Sequence, residues 1–117
     1  MSMYQYAAKV IDVHDGDTCH LTVDLGCDVY IRMTVRLAGI NAPELSTAAG
    51  KVSRDYLKGV LAVGRDVWIA TLKDKKEKYG RYLAYIYLDR DSMEHSVLGS
   101  SVNEVIVAQG LAVPYMT

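Results

Sequence analysis

The sequence is poor in the features that staple, anchor or coat. It holds two cysteines in 117 residues, too few for the disulfide framework on which small secreted folds depend. Cys19 and Cys27 fall on or beside neighbouring expected strands, and they read as two reduced, buried thiols. No stretch approaches the roughly 18 apolar residues of a membrane span, so no membrane partner is expected. An excess of charge of one sign is missing too. The formal net charge is −1, which argues against a protein that coats nucleic acid through bulk electrostatics. Any phosphate binding must then come from a local cluster of cations. No His or Cys set falls at zinc-like spacing. The opening residues, MSMYQYAAKV, lack the basic start, apolar run and small-residue cleavage site of a secretory signal. A cytoplasmic location is expected, or a mature secreted form whose signal has been removed. There is no internal repeat, low-complexity segment or linker, and the length suits a single domain over residues 1–117.

What is present is mostly strand pattern. From Lys9 to Leu37 the chain alternates, with Cys19, Leu21, Val23 and Leu25 on one face and Thr18, His20, Thr22 and Asp24 on the other. After the turn signal Asp24-Leu25-Gly26 a second alternation puts Val29, Ile31, Met33, Val35 and Leu37 inward and Tyr30, Arg32, Thr34 and Arg36 outward. Residues 39–46 (GINAPELS) form a loop, because Pro43 has no N–H to give and biases Ala42 away from helical angles. Ser46 or Thr47 can cap a helix to about Leu61, which Gly64 stops. Asp66 to Leu72 is a further strand whose inward face is ambiguous, since both alternating sets are mainly apolar. A polar loop, KDKKEKYGR, leads to a strand over 82–89 that Asp89-Arg90-Asp91 breaks. Ser101 and Glu104 make a capping box for a short helix ended by Gly110. Several strands with an interposed helix suit a mainly β (α+β) chain, a five-stranded Greek-key barrel of the OB-fold type with two short helices.

Three clusters carry chemistry, each at strand ends and loops. In His14-Asp15-Gly16-Asp17-Thr18, alternation aims Asp17 toward the barrel, where a carboxylate is costly unless paired or bound to a metal. Arg36 stands five residues before Asn41, Ala42, Pro43 and Glu44, so a cation and an acid can face one small anion. Lys78-Tyr79-Gly80-Arg81 adds basic groups in the polar loop. Each also has a plain reading: a turn whose Asp caps local amides, a surface Arg with a Glu favouring a helix start, and a solvated loop. Together they supply carboxylates, an amide oxygen and two guanidinium groups. Hard oxygen ligands favour Ca²⁺ or Mg²⁺ over zinc, and planar arginines grip phosphate oxygens in pairs.

These pieces resemble the staphylococcal nuclease-like (thermonuclease) domains. The matching motifs are V-x-D-G-D-T at Val13 to Thr18, R-L-x-G-I-x-A-P-E at Arg36 to Glu44, K-Y-G-R-x-L-A-Y-I-Y at Lys78 to Tyr87, and V-N-E-x-x-V-x-x-G-L-A at Val102 to Ala112. They come in the family's order and cover nearly the whole chain. The resemblance implies a Ca²⁺-dependent phosphodiesterase, an endonuclease acting on DNA or RNA and leaving 3′-phosphate and 5′-hydroxyl ends. It makes Asp17, Asn41 and the backbone carbonyl of Ala42 the metal ligands, Glu44 the general base, and Arg36 and Arg81 the phosphate-binding arginines. Lys78 and Tyr79 match positions that contact a terminal phosphate, and Tyr115 lies about one residue from an aromatic base-stacking position. Many relatives carry Asp where this chain has Asn41, which implies weaker Ca²⁺ binding. The alternative is a non-catalytic OB module that binds single strands. Monomer and homodimer both remain open at this point.

Overall fold

The computed structural model describes residues 3–76 and 80–115. In chain order the elements are β1 (Met3–Asp15), β2 (Thr18–Asp24), β3 (Tyr30–Leu37), a short β4 (Ile40–Asn41), α1 (Ala48–Val60), β5 (Asp66–Lys76), β6 (Tyr82–Tyr87), α2 (Arg90–Glu94), α3 (Val102–Ala108) and a short β7 (Val113–Pro114). Five of these strands close a barrel in the order β1-β2-β3-β6-β5, with β5 returning to β1. Every neighbour is antiparallel except β3 and β6, which run parallel with Val35 opposite Tyr82. This is the expected OB-type barrel. The remaining pair, β4 and β7, makes a small antiparallel clasp of Ile40 with Pro114 and Asn41 with Val113. Among the described residues no helix is long and apolar enough to cross a membrane.

The barrel interior is the alternating set read from the sequence. Cys19, Leu21 and Val23 of β2 meet Val35 and Leu37 of β3, Val67 and Ile69 of β5, and Ile86 of β6, all buried. Each such side chain contributes about 1.5–3 kcal/mol on leaving water. α1 carries Leu57 and Leu61 into the same cluster, and Thr47 caps it by accepting the Gly50 N–H at 3.0 Å. Burial pushes the Cys19 thiol up to about 12, so it stays a thiol at neutral pH.

The structure differs from expectation in several places, and the differences have physical reasons. β1 begins at Met3 rather than near Lys9, because β5 supplies a partner for its first half, from Met3 opposite Leu72 to Lys9 opposite Asp66. The β2–β3 tip is exposed at Leu25, Val29 and Ile31, all expected inward, because β3 meets β6 only from Val35 to Leu37 and no other described element covers the tip. Cys27 lies on this tip, exposed, so only one of the two thiols is buried. Among the described residues there are three helices rather than two: the run that breaks β6 does so by capping α2, with Asp89 Oδ1 accepting the Ser92 N–H at 2.7 Å. α2 in turn resolves the ambiguous faces of β5. Val67 and Ile69 face the barrel, while Ala70 and half-buried Trp68 pack with Met93 and Tyr87 beneath α2.

The V-N-E motif is structural. The capping box forms as expected, Ser101 Oγ donating to Glu104 Oε1 at 2.8 Å while accepting the Glu104 N–H at 3.1 Å. Between them Asn103, only 1% exposed, spans the parallel seam. Its amide donates to the carbonyls of Ala38 (2.8 Å) and Ala84 (3.0 Å), and its oxygen accepts the Ile86 N–H at 3.0 Å. Without Asn103 the Ala38 carbonyl and the Ile86 N–H each lose a buried partner, at about 1–3 kcal/mol each, while the Ala84 carbonyl keeps the Ala38 N–H at 2.9 Å. Asn103→Ala is therefore expected to lower stability by about 2–4 kcal/mol in urea unfolding; an unchanged midpoint would refute this account of the motif.

Candidate active site

Strand pairing brings distant residues together. In the β2–β3 ladder Thr18 lies opposite Arg36, which sets the end of β3 beside the Asp15-Gly16-Asp17 turn. The β3–β6 seam puts Arg36 opposite Leu83, so Arg81, two residues earlier, reaches the same end of the barrel. The β4 loop crosses in front. Asp15, Asp17, Arg36, Asn41, Ala42, Glu44 and Arg81 line one cleft of about 310 Å³.

Asp17 is the hub. It is buried at 7% exposure; its Oδ2 accepts the Ala42 N–H at 2.9 Å and its Oδ1 accepts the Thr18 hydroxyl at 3.2 Å. Its own N–H donates to Asp15 Oδ1 at 3.0 Å. Arg36, expected on the outer face of its strand, is buried at 9% exposure because the β4 loop folds over it. Its Nη1 donates to the carbonyls of Leu37 (3.1 Å) and Ile40 (2.9 Å) and its Nη2 to Asn41 Oδ1 (3.2 Å). The same Nη2 stands 3.7 Å from Asp17 Oδ2. The Tyr115 ring lies over this guanidinium at 5.6 Å, its backbone tied to Gly39 O at 2.8 Å. Arg81 Nη1 donates to the Thr18 hydroxyl at 3.2 Å. A continuous chain therefore runs from Arg81 through Thr18 and Asp17 to Arg36 and Asn41. Glu44 is exposed at the cleft rim, its carbonyl fixed by the Thr47 N–H at 3.0 Å and the Thr47 hydroxyl at 2.6 Å.

Asp15 and Thr18 were not singled out from the sequence, although both stand in the motif that gave Asp17. Alternation marks which residues face inward, but it does not reveal that a Thr hydroxyl links a carboxylate to an arginine from another strand. Lys78 and Tyr79 lie outside the described residues. None of the three histidines lines the cleft: His14 is exposed with its Nε2 4.0 Å from Asp15 Oδ2, His95 is exposed, and His20 is bonded to Thr34 Oγ1 at 3.1 Å.

Burial is the main reason that the Asp17 carboxyl is held above its ordinary value of 3.8, with Asp15 adding to the effect while Ala42 and Arg36 oppose it. An acid whose folded pKa is raised prefers its neutral form in the fold. Stability is then greatest below the unfolded value and falls as pH rises through the folded one. Asp17→Asn is accordingly expected to raise the melting temperature at pH 7 without divalent ions, with the gain vanishing below about pH 4. A lower melting temperature at pH 7 would show that Arg36 outweighs the burial.

The same strain bears on what the cleft can hold. No group of three or more His, Cys, Asp and Glu side chains close enough to hold a metal ion occurs among the described residues. A desolvated carboxylate beside an amide oxygen, with Asp15 and Glu44 on the same cleft, is hard-oxygen chemistry. It fits a cation that keeps water and substrate oxygens in its shell, and does not fit zinc.

The staphylococcal nuclease homologue model matches residues 34–117. Among curated proteins, the chain is 30% identical over 122 residues to endonuclease YhcR of Bacillus subtilis (strain 168), covering 95% of this chain and 9% of that one. It is 32% identical over 107 residues to protein ParB of Escherichia coli, covering 92% and 56%, and 29% identical over 112 residues to a micrococcal nuclease of Shigella flexneri, covering 94% and 59%. The chain thus spans somewhat more than half of the two shorter relatives and a small part of YhcR. Barrel topology, the four ordered motifs and the matched model agree, and the chain belongs to the staphylococcal nuclease homologue family.

Proposed function

We propose that this protein is a nuclease that hydrolyses phosphodiester bonds of DNA or RNA in a Ca²⁺-dependent reaction. The observation that carries the reading is the convergence of Arg36 and Arg81 with Asp17 and Glu44 on one cleft. A binding module needs the cations, but it has no use for buried or cleft-lining acids, which repel phosphate.

In this reading Arg36 and Arg81 bind the non-bridging oxygens of the scissile phosphate, and their donors strengthen as charge builds on those oxygens in the transition state. The backbone carbonyls and Asn41 hold the Arg36 fork ready, so little reorganisation is needed. Glu44, exposed at the rim, orients and deprotonates the attacking water. The water attacks phosphorus in line, the P–O5′ bond breaks, and the departing 5′ oxygen takes a proton from solvent, which leaves 3′-phosphate and 5′-hydroxyl ends. Asp17, Asn41 and the Ala42 carbonyl would hold the Ca²⁺, which when bound neutralises phosphate charge and acidifies water. Lys78 and Tyr79 are assigned to the terminal phosphate. Tyr115, half exposed beside Arg36, offers a face for a base.

Asn41 brings no negative charge to the ion, and Ca²⁺ affinity depends on the charge of its ligands. Asn41→Asp should therefore tighten Ca²⁺ binding several-fold and lower the Ca²⁺ needed for half-maximal cleavage; calorimetry showing no gain would remove Asn41 from the ligand set. The whole reading is tested by incubating pure protein with end-labelled denatured DNA and RNA, in Ca²⁺ or EGTA, followed by end-group analysis. Cleavage in Ca²⁺ alone with 3′-phosphate ends is expected. Strand binding without cleavage would make the chain a binding module.

A further inference from the structure

α1 lies directly against both acidic parts of the cleft, through Gly50, which has no side chain, and through the small side chain of Ser53. A Cβ placed on Gly50 would overlap the Glu44 carbonyl oxygen and stand 2.9 Å from Leu45 Cα. That same carbonyl receives the Thr47 N–H and hydroxyl, and the hydroxyl accepts the Gly50 N–H at 3.0 Å. One turn further along, Ser53 is fully buried and its Oγ has no hydrogen-bond partner among the described residues. A Cβ on Gly16, in the turn that carries Asp17, would overlap this Oγ and stand 2.7 Å from Ala42 Cβ.

Neither residue serves the helix itself. Glycine inside a helix is worse than alanine, because it gives up more chain entropy. A buried hydroxyl without a partner is a cost that alanine would remove. Both are small on the one face where the Glu44 loop and the Asp17 turn sit. Gly59, on the same helix, meets nothing within 4 Å, so the need for close approach is local to this face.

We propose that the Gly50–Ser53 face of α1 is the template that sets the separation of Glu44 from Asp17, with Gly50 the positioning residue for Glu44. The inference rests on the nuclease reading for its kinetic consequence. Misplacing a catalytic group by about 1 Å can cost on the order of 10²-fold in rate. A methyl group at position 50 must displace backbone, since the atoms it meets belong to the main chain of Glu44 and Leu45.

The test is Gly50→Ala beside Gly59→Ala, with rates in Ca²⁺, melting temperatures and a crystal structure. For Gly50→Ala, kcat should fall about 10²-fold with KM within about twofold and the fold retained. Gly59→Ala should cleave as the wild type does. Because Gly50 acts through Glu44, adding Gly50→Ala to a Glu44→Gln background should cost little more, whereas a merely structural role would cost the same in both. Wild-type kcat in a folded Gly50→Ala protein would overturn the inference while leaving the nuclease reading intact. If the wild type did not cleave, that reading would fall alone. The crystal structure of Gly50→Ala would still decide the inference, with Glu44 unmoved overturning it and Glu44 displaced while Asp17 stays supporting it. Should Gly50→Ala not fold, Thr47→Ala removes one tie to the same carbonyl and should lower kcat about tenfold at unchanged KM; an unchanged kcat would count against the template.

Discussion

Arg81→Ala is expected to lower the rate of phosphodiester cleavage by about 10²- to 10³-fold while the protein stays folded. The guanidinium approaches the cleft from the start of β6, where the backbone is held by its ladder to β3, Tyr82 lying opposite Val35. Its side chain is half-buried and donates to the Thr18 hydroxyl, which passes the contact to Asp17. Truncation leaves that hydroxyl another partner in Asp17 and leaves the barrel seam in place. The loss should therefore appear in kcat and not in the melting temperature. Arg81→Lys keeps the charge but replaces a planar fork by a point charge, so it should restore only part of the rate. The measurement is initial cleavage of denatured DNA in Ca²⁺ with thermal melts of both variants. Near-normal cleavage by Arg81→Ala would remove this arginine from the reaction.

Legibility in the sequence followed the physics of each element. The barrel strands were readable because a closed sheet has one buried face, and a period of two exposes it directly. The same logic failed at the hairpin tip, where Val29 and Ile31 keep the alternation beyond the reach of any covering element. It failed on β5 for the opposite reason. Both faces are covered, one by the barrel and one by α2, and α2 is a five-residue helix whose only local signal, Asp89 as a cap, also marks a turn. At the cleft, Asp17 was visible as an acid in an inward register. The burial of Arg36 was not visible, since it depends on the β4 loop folding back over a strand end, held by the Ile40 carbonyl. The requirement at Gly50 was equally silent. A single glycine in a helical stretch looks like a weak helix former, and only the main chain of Glu44 lying against it shows why nothing larger fits.

Arg36→Ala should behave differently from its partner arginine, losing stability as well as activity. Its guanidinium is buried and satisfies the Leu37 and Ile40 carbonyls and Asn41 Oδ1, while facing Asp17 at 3.7 Å. Truncation leaves two backbone acceptors and an amide oxygen short of a donor, and leaves the Asp17 carboxylate without its nearest cation. Breaking a buried ion pair from one side costs about 3–5 kcal/mol, which for a chain of this size corresponds to a fall of roughly 10 °C or more in melting temperature. Part of that cost is Asp17's charge, so it should shrink at acid pH, where the carboxyl is protonated and no longer needs a cation. The Arg36→Ala deficit should also be smaller in an Asp17→Asn background, since the charge left uncompensated is then absent. Equal deficits in the two backgrounds would mean that Arg36 holds the loop through the Leu37 and Ile40 carbonyls alone. The 3.7 Å approach to Asp17 would then carry no energetic coupling, and the Arg36 side chain would be a latch on the β4 loop before it is anything else.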